Sequence, residues 1–274
     1  SASLKTSTHY IDITGEIDVF EYANSKDKEA KASNVILCPG VGFDVIPTDC
    51  LALMLKNELP SGTDLSLAFQ PIGSKLSPGT AKTAVEGASK GGRIRKNGEL
   101  HSVPLAYATR KIDFGSGAKN TVSISWGDVS TAYFNTGIPN IQVYFPMSEK
   151  SIERLRKRRK YAMIMKSAVI QNFLKHRIGK NIKGQSEEER KNSKTNIWGE
   201  LTDSSGQSVV GRFATGNGYD VTAIGAIEIV SFLNKNVVDG GYYSPAMLAG
   251  TSILEKLPGY TGIQFENFNK EEDE

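Results

Sequence analysis

The chain has 274 residues, 39% of them hydrophobic and 23% charged, with a formal net charge of +3. That length holds one large domain or two modest ones, and the composition excludes a disordered or fibrous chain. The charge is too small for the basic face on which nucleic-acid binding depends, no apolar run approaches the ~20 residues of a bilayer span, and the N-terminus lacks a signal-peptide pattern.

In chain order, "THYIDITGEIDVFEY" (Thr8 to Tyr22) places a short alternating strand, Tyr10 to Ile13, directly before Thr14-Gly15-Glu16 and a helix-favouring run. "NVILCPG" (Asn34 to Gly40) is a compact apolar run ending at Pro-Gly, as in a strand buried on both faces. A helix follows through Leu51, Leu53, Met54 and Leu55 and stops before Pro60, with Pro47 in its first turn. Strand, glycine turn and helix make half of an α/β unit.

From Asp64 the pattern changes. "DLSLAFQ" alternates like a half-exposed strand, and "SPGTAKTAVEGASKGG" reads as a short helix. Asn97-Gly98 marks a hairpin, and "TRKIDFG", "TVSISWG" and "NIQVYFP" add strands. Ser148 is expected to cap one long helix over roughly Glu149 to His176. "TNIWGELTD" and "SVVGRFATG" form a second hairpin, Asp220 is expected to cap the helix after it, and Ser244-Pro245 opens another. The terminal "EEDE" reads as a solvated acidic tail. The predicted class is therefore α/β and α+β: a partial Rossmann-type parallel sheet over residues 1–60, then a mixed or antiparallel sheet domain with helices over 61–274.

Several catalytic and binding signatures are missing. There is no HExxH, CxxC or GxSxG, so no metal site is expected, and the two cysteines, Cys38 and Cys50, have neither disulfide nor metal-ligand spacing. Their usage favours a reducing, cytoplasmic setting, with Cys38 a buried, inert thiol. Three GxG pairs occur, Gly40/Gly42, Gly115/Gly117 and Gly216/Gly218, but Val45, Asn120 and Val221 stand where the dinucleotide fingerprint needs its third glycine. "PGVGFDVIPTD" remains of interest. Its glycines end a buried strand where open sheets meet ligands, with Asp44 and Asp49 flanking the next helix start; the plain alternative is turn glycines and capping aspartates. Gly79, Thr80 and Lys82 in "GTAKT" suit an anion or carboxylate at a helix N-terminus, or an ordinary capped helix. "WGDVSTAYFNTGIPNI", with Asp128, Ser130 and Thr131, reads either as the lining of a substrate cleft or as a hydrogen-bonded surface loop. The basic run "RLRKRRK" (Arg154 to Lys160) reads as a solvated helix face or as an amphipathic helix at a membrane surface.

Taken together, "THYIDITGE", "ILCPGVGFDVIPTDCLA", "GTAKTAVEG", "WGDVSTAYFNTGIPNI" and "GYDVTAIGAIEIV…GGYYSPAMLAGTSILEKLPG" resemble the saccharopine dehydrogenase-like oxidoreductases, in the branch with the trans-acting enoyl reductases. The resemblance runs from about Thr8 to Gly259. It implies an NAD- or NADP-dependent enzyme whose glycine-rich phosphate-binding turn precedes the strand matching "HYIDITGE", so the chain is expected to lack the first Rossmann half and to bind dinucleotide poorly alone. On this resemblance His9, Asp12, Thr14, Gly15, Glu16, Pro39, Gly40, Gly42, Phe43 and Asp44 would line the nicotinamide side. Gly79, Thr80, Lys82, Asp128, Ser130 and Thr131 would face a small-molecule substrate, an acyl or enoyl lipid or an amino-acid adduct. No proton donor is assigned. An antiparallel sheet with one uncovered face leads to the expectation of a homodimer, and the rival reading is a non-catalytic lipid- or membrane-surface module.

Overall fold

A computed structural model describes residues 2–74, 79, 91–159, 167–181 and 186–268. Among them the elements run α1 (Ala2–Lys5), β1 (Tyr10–Ile11), α2 (Ile17–Ser25), α3 (Asp27–Ala32), β2 (Ile36–Cys38), α4 (Ile46–Glu58), β3 (Asp64–Ile72), β4 (Gly92–Lys96), β5 (Glu99–Val103), β6 (Thr109–Asp113) and β7 (Ala118–Ile124). There follow α5 (Asp128–Thr136), β8 (Asn140–Pro146), α6 (Glu149–Arg158), α7 (Ala168–Asn181), α8 (Glu187–Lys191), β9 (Lys194–Thr202), β10 (Ser208–Thr215), α9 (Gly218–Lys235), β11 (Gly241–Tyr242), α10 (Pro245–Ala249), a 3-10 turn (Thr251–Lys256) and β12 (Gln264–Phe268).

Two sheets organise the chain. In the smaller, β1 and β11 flank β2, and both run parallel to it, with Tyr10 opposite Leu37, Ile11 opposite Cys38 and Gly241 opposite Ile36. All three residues of β2 are buried, as a central parallel strand requires. The strand from "HYID" therefore lies directly beside the one from "NVILC". Among the described residues the larger sheet has nine strands in the order β12-β10-β9-β3-β8-β4-β5, with β7 also against β8 and β6 against β7, and only β3 and β8 pair in parallel there. The edge of β8 away from β3 is shared: Ile141 meets Arg95 of β4, and Val143 to Pro146 meet β7.

Alternation along the strands sorts the large sheet's two faces. Leu65, Leu67, Phe69, Ile141, Val143, Ile197, Leu201, Val209 and Phe213 point inward and join Ile46, Leu51 and Leu55 of α4 in one core. Gly199 and Gly211 sit opposite each other on β9 and β10. A Cβ on either would come within 2.8 Å of Leu55 or Leu51, so the paired glycines form the dent that seats α4. On the outer face the β6–β7 hairpin folds back, and its Ile112 and Phe114 pack on Ala68, Tyr144, Trp198 and Val210. The apolar part of the face expected to be uncovered is thus covered by the chain itself. After β10 and α9 the chain returns to the small sheet through β11, and α10 packs on α4, before β12 rejoins the large sheet beside β10.

Several local expectations hold for the reasons given. Asn97 and Gly98 have φ of 51° and 80°, the left-handed pair of a tight hairpin between β4 and β5. Ser148 accepts from the Ser151 amide and Ser244 from the Met247 amide, so both act as caps. Three expectations change. The helix begun at Glu149 ends at Arg158, and Ser167 is non-helical before α7, so no single helix runs to His176. The cap of α9 is Asn217, whose side chain accepts from the Tyr219 amide, while Asp220 lies inside the first turn. "DVSTAYFNT" is a helix, not a loop, closed by Gly137 at φ 72°. The short helix expected from Ser77, except Gly79, and the acidic tail lie outside the described residues.

Candidate functional site

The loops after β1 and β2 meet at the carboxyl ends of these strands and frame a candidate crevice. Asp12 ties them together. One carboxylate oxygen accepts from the Thr14 amide at 3.0 Å and from the Gly40 amide at 2.9 Å, and the Asp12 carbonyl accepts from the Val41 amide at 2.7 Å. The Tyr10 hydroxyl donates to the other oxygen, and burial with this bond pushes the Tyr10 phenol up to about 12. Asp12 therefore ties the loop after β1 to the loop after β2. Gly40 has φ +80°, and a Cβ there would fall 2.7 Å from Val45 and 2.8 Å from Phe20, so the turn admits only glycine. Gly42 lies so close to α9 that a Cβ would meet Thr222 at 2.9 Å. The Thr222 hydroxyl accepts from the Phe43 amide at 3.0 Å and donates to the Gly218 carbonyl at 2.8 Å.

An aromatic cluster packs beside these loops, with Phe69 buried in the core and Phe43 and Trp126 partly exposed. Phe43 meets Phe69 edge-on with centroids 5.8 Å apart, and Phe69 lies 4.6 Å from Trp126. The Trp126 indole donates to the Asp44 carbonyl at 2.8 Å, which links the small sheet's loop to the large sheet. Asp44 is half-buried, and its carboxyl lies 2.9 Å from where a Gly15 Cβ would stand. Burial alone pushes it up to about 6, so it carries a proton for part of the time near neutral pH.

Two further carboxyls are fully buried. Asp49 accepts from the Asn135 side chain at 3.1 Å and the Ala246 amide at 2.9 Å, and joins α4, α5 and α10. Burial pushes its carboxyl up to about 6 against the opposing bonds from Ser244, Ala246 and Asn135. Asp128 is 0% exposed, and neither of its oxygens meets a hydrogen-bond donor among the described residues. Burial, with the Asp49 and Asp44 charges, pushes it well up. The Thr48 hydroxyl opposes this but is directed at the Val45 carbonyl. Burial thus favours the protonated form of Asp128.

The residues singled out in the sequence fall into distinct places. Asp12, Thr14, Gly15, Pro39, Gly40, Gly42, Phe43 and Asp44 converge on the crevice; Glu16 is exposed at its rim, at the start of α2. His9 is exposed and accepts the Ile36 amide through Nδ1 at 3.1 Å, which gives it a structural bond along β1. Asp128, Ser130 and Thr131 are fully buried in α5 and present no open surface. Ser130 donates to Glu21, which also holds Arg95. Gly79 is exposed, and Thr80 and Lys82 lie outside the described residues. Thr222, Phe69 and Trp126 were not singled out. Trp126 opens one quoted motif and Thr222 lies inside another, but the contact of Thr222 with Phe43, 179 residues away, has no local signal.

The diphosphate of a nicotinamide dinucleotide needs free amides and a cation. Here the amides of Thr14, Glu16, Gly40, Val41, Phe43, Val45 and Ile46 donate to protein oxygens, while those of Gly15, Gly42 and Asp44 make no bond among the described residues. The nearby charge is acidic, from Asp12, Glu16 and Asp44, and this charge does not fit a diphosphate. A flat, uncharged or cationic ring suits the aromatic and carboxyl groups better. Among the described residues no group of His, Cys, Asp and Glu has metal-binding geometry, and no helix is long and apolar enough to cross a membrane.

No family model matches the sequence. No curated protein matches it either. Among solved structures, the apo histidine-tagged saccharopine dehydrogenase (L-Glu forming) from Saccharomyces cerevisiae matches with a TM-score of 0.55 at 8% identity, over 98% of this chain and 81% of that one. At such identity the likeness is one of fold. A small parallel sheet joined to a larger mixed sheet gives this chain a saccharopine dehydrogenase-like fold.

Proposed function

We propose that the chain is the substrate- and dimer-forming portion of an NAD(P)-dependent oxidoreductase of the saccharopine dehydrogenase-like kind. The observation that carries this reading is the crevice at the carboxyl ends of β1 and β2, pinned by Asp12 and backed by Phe43, Phe69 and Trp126. Ligands of open parallel sheets bind at that end of the strands. Gly15, Gly40, Phe43 and Asp44 would hold the ring end of the cofactor, and hydride transfer is the chemistry it would supply there. The aromatic cluster favours an unsaturated acyl substrate over a charged adduct. Asp44 is the group we assign to proton donation, because its raised proton affinity suits general acid work near neutrality.

The seat for the diphosphate belongs, in this reading, to residues other than the described loops. Two features support it. Among the described residues β1 has a partner on one side only, and α9 leaves Ile227 60% exposed while Ile13 beside Gly42 is 58% exposed. A further parallel strand and helix would cover both. Calorimetry on the 274-residue chain should therefore detect no micromolar NADPH binding, and tight binding would refute the reading. Joining a glycine-rich Rossmann half upstream should create both NADPH binding and hydride transfer to an enoyl thioester. Transfer should be lost in Asp44→Asn with NADPH affinity kept.

A further inference from the structure

The basic run after Ser148 has no part in the crevice. α6 buries Ile152 and half-buries Leu155 against Ala106 and Val122 of the large sheet's edge. This orients the helix. Lys150, Arg154, Lys157 and Arg158, spaced by three and four residues, form one exposed stripe on the other side. None of the four makes an ion pair among the described residues, whereas Arg159 is used inward, donating to the Leu105 and Ala106 carbonyls at 2.7 and 2.8 Å.

The next helix supplies an independent observation. In α7, Val169 is 78% exposed and Phe173 60% exposed, with Arg177 exposed one turn further on. Positions i, i+4 and i+8 share a helix face, so an uncovered apolar stripe ends in a cation. An aromatic ring left in water beside guanidinium groups is costly for a face whose only role is solubility.

We infer that α6 and α7 dock the protein on an anionic lipid surface. The cations of α6 and Arg177 meet the lipid phosphates, and Val169 and Phe173 enter the headgroup–acyl boundary. Neither helix is an interfacial helix by itself, since α6 turns Ile152 and Leu155 inward; the surface instead combines the cations of α6 with the exposed Val169 and Phe173 of α7. A nucleic-acid duplex would meet the cations but offer no apolar phase for Val169 and Phe173. This inference is independent of the oxidoreductase reading: an enzyme acting on acyl substrates gains from a lipid surface but does not need one.

The test is co-sedimentation of the full chain with vesicles of two parts phosphatidylcholine to one part phosphatidylserine, beside vesicles of phosphatidylcholine alone. Binding is expected only to the anionic vesicles, and should weaken as salt rises. Each neutralised cation should lower partitioning about fivefold, so Arg154→Gln, Lys157→Gln and Arg158→Gln together should lower it on the order of a hundredfold. Phe173→Ser should lower it about tenfold; its solvent position keeps the fold intact, which a thermal melt checks. No binding to the anionic vesicles would overturn the inference. So would equal binding to both kinds of vesicle, or binding that ignores all four substitutions.

Discussion

Asp44→Asn isolates one physical term. The Asp44 carboxyl is raised from 3.8 to about 6 by burial alone. Below about pH 4 the folded and unfolded chains both hold the proton, and the group leaves stability unchanged. Between about pH 4 and 6 the unfolded chain releases it while the folded chain retains it, so stability falls as pH rises. Above about pH 6 the full loss is in place. About two pKa units at ~1.36 kcal/mol each amount to about 3 kcal/mol. Asparagine keeps the shape and removes the charge. The variant should match the parent near pH 4 and exceed it by about 2–3 kcal/mol at pH 7. At ~2–4 °C per kcal/mol for a chain of this size, the melting temperature should rise by about 5–10 °C. Melts followed by circular dichroism from pH 4 to 7 give the difference curve. A difference that stays constant with pH, or turns negative toward neutrality, would refute the assignment of the shift to desolvation.

Other consequences are as direct. Asn217→Ala should cost about 1–2 kcal/mol by urea titration, because it removes the cap of α9 and a 2.6 Å bond to Ser193, whereas Asp220→Ala should cost less than about 1 kcal/mol. The reverse order would restore Asp220 as the cap. Arg95→Met should cost about 3 kcal/mol or more, since it strands Glu21 and frees the Val129 and Gly98 carbonyls, and adding Glu21→Gln should recover part of the loss. Additivity of the two changes would break that account. The β6–β7 hairpin removes the uncovered face as the ground for a dimer; if the proposed dimer forms through another surface, light scattering at micromolar concentration should give twice the chain mass. A monomer would remove it.

Much of the local structure could be read from residue order. The runs "NVILC" and "DLSLAF", the Asn97-Gly98 turn and the Ser148 and Ser244 caps each depend on neighbours within a few residues, where periodicity and backbone preference act. The crevice loops were legible for the same reason, since turn glycines follow a buried strand. Tertiary contact decided the rest. Asn217 outcompetes Asp220 because its side chain both caps α9 and bonds Ser193 across the core. "DVSTAYFNT" becomes a buried helix because Val129 and Ala132 fill the core beside α4 while Ser130 binds Glu21, 109 residues away. The Phe43–Thr222 bond, the aromatic cluster, the proton affinities of Asp44, Asp49 and Asp128 and the hairpin over the outer face all join residues distant along the chain. Burial and long-range pairing set these, and no local pattern encodes them.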